Sequence, residues 1–91
     1  MITLHHKHPE RIIIAMENNV EVGNIEYEVS DNAIAITHTR AYIEGRGIGR
    51  ILVEGIIEFA KEHQMKVLPL CSYAKALMNK VDEYRSLIPD T

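Results

Sequence analysis

Three glycines in five residues, Gly45-Arg46-Gly47-Ile48-Gly49, stand between a β-branched stretch and the longest amphipathic run of the chain. That placement constrains the fold more than any other feature. Alternating glycines permit the left-handed backbone of a tight turn and let main-chain amides approach a bound group closely. A turn of this kind at the head of a helix leaves the first N–H groups without intrahelical partners, and the helix dipole favours an anion there. Thr37 to Tyr73 therefore reads as strand, glycine turn, helix, strand, with the lone Cys71 where the second strand ends. One glycine would serve a plain turn. Three point to a phosphate-binding turn that holds the pyrophosphate of a nucleotide-like cofactor, with Cys71 near the cofactor's reactive end.

The flanking segments follow from their periodicities. Arg11 to Met16 is β-branched and reads as a strand, and Glu17-Asn18-Asn19 as a turn. Val20 to Val29 alternates, with a slip of phase at Gly23-Asn24 that suggests a bulge. After a second turn at Ser30-Asp31-Asn32, Ala33 to Thr39 reads as a third strand, with Ile34, Ile36 and His38 on one face. These three segments form an antiparallel meander. Ile48 to His63 is the clearest helix, with an apolar stripe of Ile48, Ile51, Leu52, Ile56, Ala60 and His63. Glu54, Glu58 and Glu62 form a solvated acidic ridge on it, and Gly55 permits close packing.

Met65 to Leu70 is a short interior strand. It follows the helix as a crossover, which calls for a parallel pair, and Pro69 interrupts pairing on one side. Tyr73 to Val81 is a second, shorter helix with Met78 in its core stripe, and Tyr84 to Pro89 is a partly anchored tail.

Composition excludes several function classes. The 91 residues allow one domain, 1–91, with residues 1–9 as a flexible polar arm. A net charge of −3 gives no global basic field, and the absence of Trp argues against a base-stacking surface, so no nucleic-acid partner is expected. No apolar run reaches the roughly 18 residues of a membrane span. A single cysteine forms no intrachain disulfide and fits a reducing, cytoplasmic setting. His5, His6 and His8 lack an apparent fourth ligand, so no metal site is expected.

The glycine turn matches neither common nucleotide fingerprint. The dinucleotide pattern needs glycine where Arg50 stands, and no Gly-Lys-Ser/Thr of a Walker loop follows. Arg46 and Arg50 flank the turn and can add charge-assisted bonds to a phosphate.

The order meander, Gly-x-Gly-x-Gly turn, helix, strand, helix resembles the GNAT superfamily, the acetyl-coenzyme A-dependent N-acetyltransferases. Its phosphate motif, Gln/Arg-x-x-Gly-x-Gly/Ala, is matched by Glu44 to Gly49 except at Glu44. Together with Thr37-His38-Thr39, Lys66-Val67-Leu68-Pro69-Leu70-Cys71 and Glu83-Tyr84, it looks like a small, single-domain branch of that superfamily. The chain departs from the wider pattern after its last strand, where Cys71 replaces an Asn and Met78 replaces a Tyr that often serves as general acid.

The resemblance implies an α/β (α+β) fold of GNAT type and binding of acetyl-CoA (acetyl-coenzyme A). Its pyrophosphate would rest on the amides of Arg46, Gly47, Ile48, Gly49 and Arg50. Its pantetheine would lie where the strands Ala33–Thr39 and Met65–Leu70 splay apart, with Thr39, Cys71 and Tyr73 against the cofactor. The acetyl group would end between His38 and Cys71, the candidate catalytic pair. Two mechanisms follow: direct attack by an acceptor amine with His38 or a water relay as base, or acetylation of Cys71 followed by transfer. Competing readings are a core histidine at His38 and a buried small hydrophobe at Cys71. The implied partner is an amine acceptor, a protein surface or a small polyamine-like molecule, taken by a monomer or weak dimer. The alternative function is a non-catalytic acyl-CoA-binding or protein-interaction module.

Overall fold

Asn18 and Asn19 both take positive φ, 53° and 65°. This pair of left-handed residues is what a two-residue hairpin turn requires, and asparagine tolerates it better than most. The hairpin belongs to a five-stranded sheet in the computed structural model, which describes residues 1–89. The sheet contains β1 (Thr3–Lys7), β2 (Ile12–Glu17), β3 (Val20–Ser30) and β4 (Ala33–Ala41), followed after α1 (Ile48–Glu62) by β5 (Lys66–Pro69). Two short helices close the described chain, α2 (Ser72–Lys80) and α3 (Asp82–Arg85). Strand order equals chain order, with β1 to β4 antiparallel and β5 parallel to β4.

The meander, the crossover helix and the parallel pairing of the fifth strand lie where periodicity puts them, but β5, read as an interior strand, is the edge of the sheet, its apolar character coming from Val67 and Pro69 buried under the helices. The N-terminal segment differs from its expectation. Thr3–Lys7, read as part of a polar arm over residues 1–9, pairs with β2 as an edge strand, Thr3 opposite Met16 and Lys7 opposite Ile12. Its histidines hide the alternation: His6 sits opposite the buried Ile13, and Leu4 packs over Gly55 of α1. A Cβ on Gly55 would lie 2.9 Å from Leu4 Cδ1, so this glycine admits the edge strand.

The helices cover one face of the sheet. Ile13, Ala15, Ile25, Ile34 and Ile36 from the strands meet Leu52, Val53, Ile56 and Ile57 of α1, with Val67 and Met78 completing the layer. Fully burying one such side chain is worth about 1.5–3 kcal/mol. Ile12, Ile14 and Met16 face the other way and are only half-buried. Gly23 lies where α1 crosses the sheet, and a Cβ there would stand 2.5 Å from the Arg40 carbonyl and 2.7 Å from Ile48.

Two bulges set the phase of the strands. The first leaves Val22 unopposed, since Ala15 pairs with Gly23 and Met16 with Glu21, one residue before the predicted slip. The second was not predicted. Tyr27 pairs with Ile36 and Glu26 with His38, so Thr37 has no opposite residue.

Candidate functional site

The bulge at Thr37 reverses the expected facing of the end of β4. A regular strand would carry His38 on the face of Ile34 and Ile36. The extra residue instead puts Thr39 opposite the buried Ile25, on the helix side, and His38 opposite Glu26, on the open side. His38 is exposed. Thr39, in its place, reaches the cysteine, with Oγ1 3.2 Å from Cys71 Sγ. A polar Thr-His-Thr after an Ile-Ala-Ile alternation is the only trace of this reversal in the sequence.

Cys71 stands at the head of α2 in extended conformation, and its Sγ accepts the Ala74 N–H at 3.5 Å. The sulfur thus caps a helix, where the dipole favours negative charge. Just before it the two parallel strands part. Pairing ends with Ile36 opposite Pro69, and the N–H groups of Leu70 and Cys71 both donate to the Ile36 carbonyl, at 2.9 and 3.2 Å. Pro69 contributes no donor, so β4 runs on to Ala41 with no strand on its β5 side.

The glycine turn closes the other end of this opening. Gly45 and Gly47 take φ of +78° and +69°, and Gly47 is the N-cap of α1 without any side-chain cap. The Ile51 N–H donates to the Gly47 carbonyl at 3.0 Å and starts the helical ladder. Among the described residues, the amides of Gly47, Ile48, Gly49 and Arg50 have no protein acceptor. They border a groove of about 390 Å³ lined by Thr39, Ala41, Ile43, Glu44, Gly45, Gly47, Ile48, Gly49 and Tyr73. Tyr73 lies against the helix head so closely that a Cβ on Gly49 would stand 2.9 Å from its ring. Volume and chemistry suit a phosphate-bearing ligand with an extended arm: orphan amides at one end, an open strand edge beyond.

The two arginines behave differently from the amides. Arg46 Nη2 donates to Glu17 Oε2 at 2.7 Å, and this bond holds Glu17 below the usual carboxylate range. Arg50 Nε donates to Glu54 Oε2 at 2.9 Å, and the Tyr84 hydroxyl donates to the same oxygen at 2.7 Å. Those two bonds lower the Glu54 carboxyl in turn. The guanidinium groups are thus engaged by carboxylates while the main chain beside them stays open. Glu17 was not singled out in the sequence, because nothing local links a hairpin turn to a loop 29 residues away. Ala41, Ile43 and Glu44 were missed as groove-lining residues although they adjoin the motif.

The structure thus brings together Thr39, Gly47, Ile48, Gly49, Tyr73 and Cys71 around one opening and sets His38 on the opposite side of β4. Among the described residues no group of three potential ligands has the geometry of a metal site. No helix there is long and apolar enough to cross a membrane.

Comparison with known proteins agrees with this fold. Residues 11–87 match the model of the GCN5-related N-acetyltransferase family. The chain is similar to a solution NMR structure from Staphylococcus aureus, described as a "GCN5-like putative N-acetyltransferase". The two share 28% identity with a TM-score of 0.78, over 98% of this chain and 89% of the other. No curated protein matches. The family match spans the meander, the glycine turn, the crossover and the cysteine-capped helix alike, and so the chain belongs to the GCN5-related N-acetyltransferases.

Proposed function

We propose that this protein transfers the acetyl group of acetyl-CoA to an amine. The observation that carries the reading is the row of open main-chain donors from Gly47 to Arg50, at the edge of a groove that runs past Thr39, which contacts Cys71. Acetyl-CoA supplies acetyl as an activated thioester. The amides of 47–50 take the pyrophosphate, and the open edge of β4 pairs with the pantetheine arm.

Cys71 is the nucleophile in this reading. Its sulfur attacks the acetyl carbonyl, the carbon–sulfur bond to the coenzyme breaks, and the thiol proton passes to the departing sulfur. The acceptor amine then attacks the acetyl carbon on Cys71. The amide forms, the Cys71 sulfur leaves, and the amine proton returns to it through a water relay. Thr39 orients the sulfur through the 3.2 Å contact. That contact, with the Ala74 amide on the same atom, favours the covalent route over direct attack and over a module that only senses acyl-CoA.

The test has two arms. Titration with acetyl-CoA should move the amide resonances of 47–50, and no movement there would falsify the cofactor reading. Incubation with acetyl-CoA should add one acetyl mass to Cys71, and Cys71→Ala should abolish both that adduct and transfer. Transfer that survives Cys71→Ala rules out the covalent route and leaves direct attack.

A further inference from the structure

The glycine turn is tied to the rest of the protein at one point. Among the described residues, no main-chain N–H from Ile43 to Arg46 donates to the protein, and no carbonyl there accepts a main-chain bond. The residues from Ala41 to Gly47 are exposed, and nothing lies within 4 Å of where a Cβ on Gly45 or Gly47 would stand. Just before this stretch Tyr42 is anchored. Its N–H donates to the Val22 carbonyl at 2.9 Å, and its hydroxyl accepts from Asn24 Nδ2 at 2.8 Å. Just after it the helical ladder begins at the Ile51 N–H. From Ile43 to Gly49, the one side-chain hydrogen bond among the described residues is that of Arg46 to Glu17.

The two partners differ in how firmly they are held. Glu17 closes β2, opposite Val20 across the Asn18-Asn19 turn, and its side chain is 16% exposed against 45% for Arg46. The other charged group on Glu17 is the Met1 amino group, 3.4 Å from the same Oε2. Arg46 stands between two left-handed glycines, the residues with the most backbone freedom to lose. It does not line the groove, although Glu44, Gly45 and Gly47 around it do. Its guanidinium is turned to the hairpin, away from the place proposed for the diphosphate.

We infer that Glu17 is a positioning residue for the coenzyme: through Arg46 it braces the glycine turn and keeps the amides of 47–50 presented to the diphosphate. The inference rests on the cofactor reading above. The sequence motif suggests another use for Arg46, as a cation that bonds the phosphates directly. In that use Glu17 competes with the ligand for the guanidinium, and its removal tightens binding. In the bracing role Glu17 helps the ligand without touching it. Its removal weakens binding, because apparent affinity falls with the fraction of time that the turn holds its binding shape. An ion pair this exposed adds little to global stability, so its loss shows in the turn and not in the fold.

The experiment uses the full chain and the variants Glu17→Gln, Arg46→Gln and the two combined. Amide shift titration with acetyl-CoA gives the dissociation constant, and amide relaxation of the ligand-free proteins gives the order of the turn. Each single change should weaken binding by about three- to tenfold, with Tm nearly unmoved. The double variant should lose about as much as either single one, since the same bond is missing in all three. Order parameters of the amides of 45–47 should fall to about 0.6 or below in every variant, while those of α1 stay near the rigid value of about 0.85. Tighter binding in Glu17→Gln overturns the inference and makes Arg46 a direct phosphate ligand. An unmoved dissociation constant, additive losses, or a turn equally ordered without Glu17 overturns it as well and leaves the cofactor reading standing. A wild-type protein in which acetyl-CoA shifts no amide sinks the cofactor reading, and this inference with it.

Discussion

Gly47 and Gly49 look alike in the sequence and do different things. Gly47 takes φ of +69° with open space where a Cβ would go, so Gly47→Ala costs backbone strain alone, about 1–2 kcal/mol. Gly49 has ordinary helical geometry but no room, because an added Cβ would meet the Tyr73 ring at 2.9 Å. Gly49→Ala must therefore displace Tyr73 and reshape the groove. Its stability loss in urea unfolding should fall in the range of about 1–3 kcal/mol for overpacking, and acetyl-CoA affinity should drop more than in Gly47→Ala. Equal affinity loss in the two would mean that Tyr73 does not shape the site. The glycine pattern was legible because it is contiguous. The turn of His38 away from the cysteine was not, because a one-residue bulge is decided by pairing with β3, and the same six residues would alternate regularly against another neighbour.

Among the elements, β1 was misread for a related reason. Its inward face is built from histidine and leucine rather than a β-branched alternation, and it is held by aromatic contacts. His6 stacks on His8 with ring centroids 4.0 Å apart, and meets Phe59 of α1 edge-on at 4.5 Å. His6 Nε2 lies 2.5 Å from the Tyr27 hydroxyl, and His63 packs on the same phenyl ring at 4.5 Å. Burial, followed by the charges of His8 and His63, lowers the pKa of His6 below the ordinary histidine value. The native state therefore binds fewer protons than the unfolded chain at mildly acid pH. The stability it contributes is present above the usual histidine range and is lost as pH falls through that range towards the depressed value. Amide exchange, corrected for intrinsic rates, should show β1 opening selectively on acidification from pH 7 to 5.5. In His6→Phe that selective opening should shrink, and uniform protection of all five strands at pH 5.5 would contradict the account. The helices and β5 were read nearly to their ends because periodicity and Pro69 mark them. α3 is a single turn, with no periodic signal to find.

For the whole molecule, the sheet order follows the chain, so three of four pairings join neighbours through tight connections and only β4–β5 spans the crossover. With 91 residues the hydrophobic layer is modest, and a ligand that binds only the folded state adds visibly to it. Acetyl-CoA at about 100 times its dissociation constant adds about 2.7 kcal/mol, enough to raise Tm by about 10–20 °C for a chain of this size. A thermal scan with and without the coenzyme reads this directly. An unmoved Tm at a concentration that saturates the amide shifts would mean that the unfolded chain binds as well.

The parting of β4 and β5 has a consequence for how the molecule comes into being. The hairpins can zip early from local encounters, whereas the bonds from Leu70 and Cys71 to the Ile36 carbonyl wait for the slow closure of a long loop. The groove proposed to take the coenzyme is bordered by that late event. A nascent or half-assembled chain has the turn but not the cleft, so nucleotide capture would report completion of the last step of assembly.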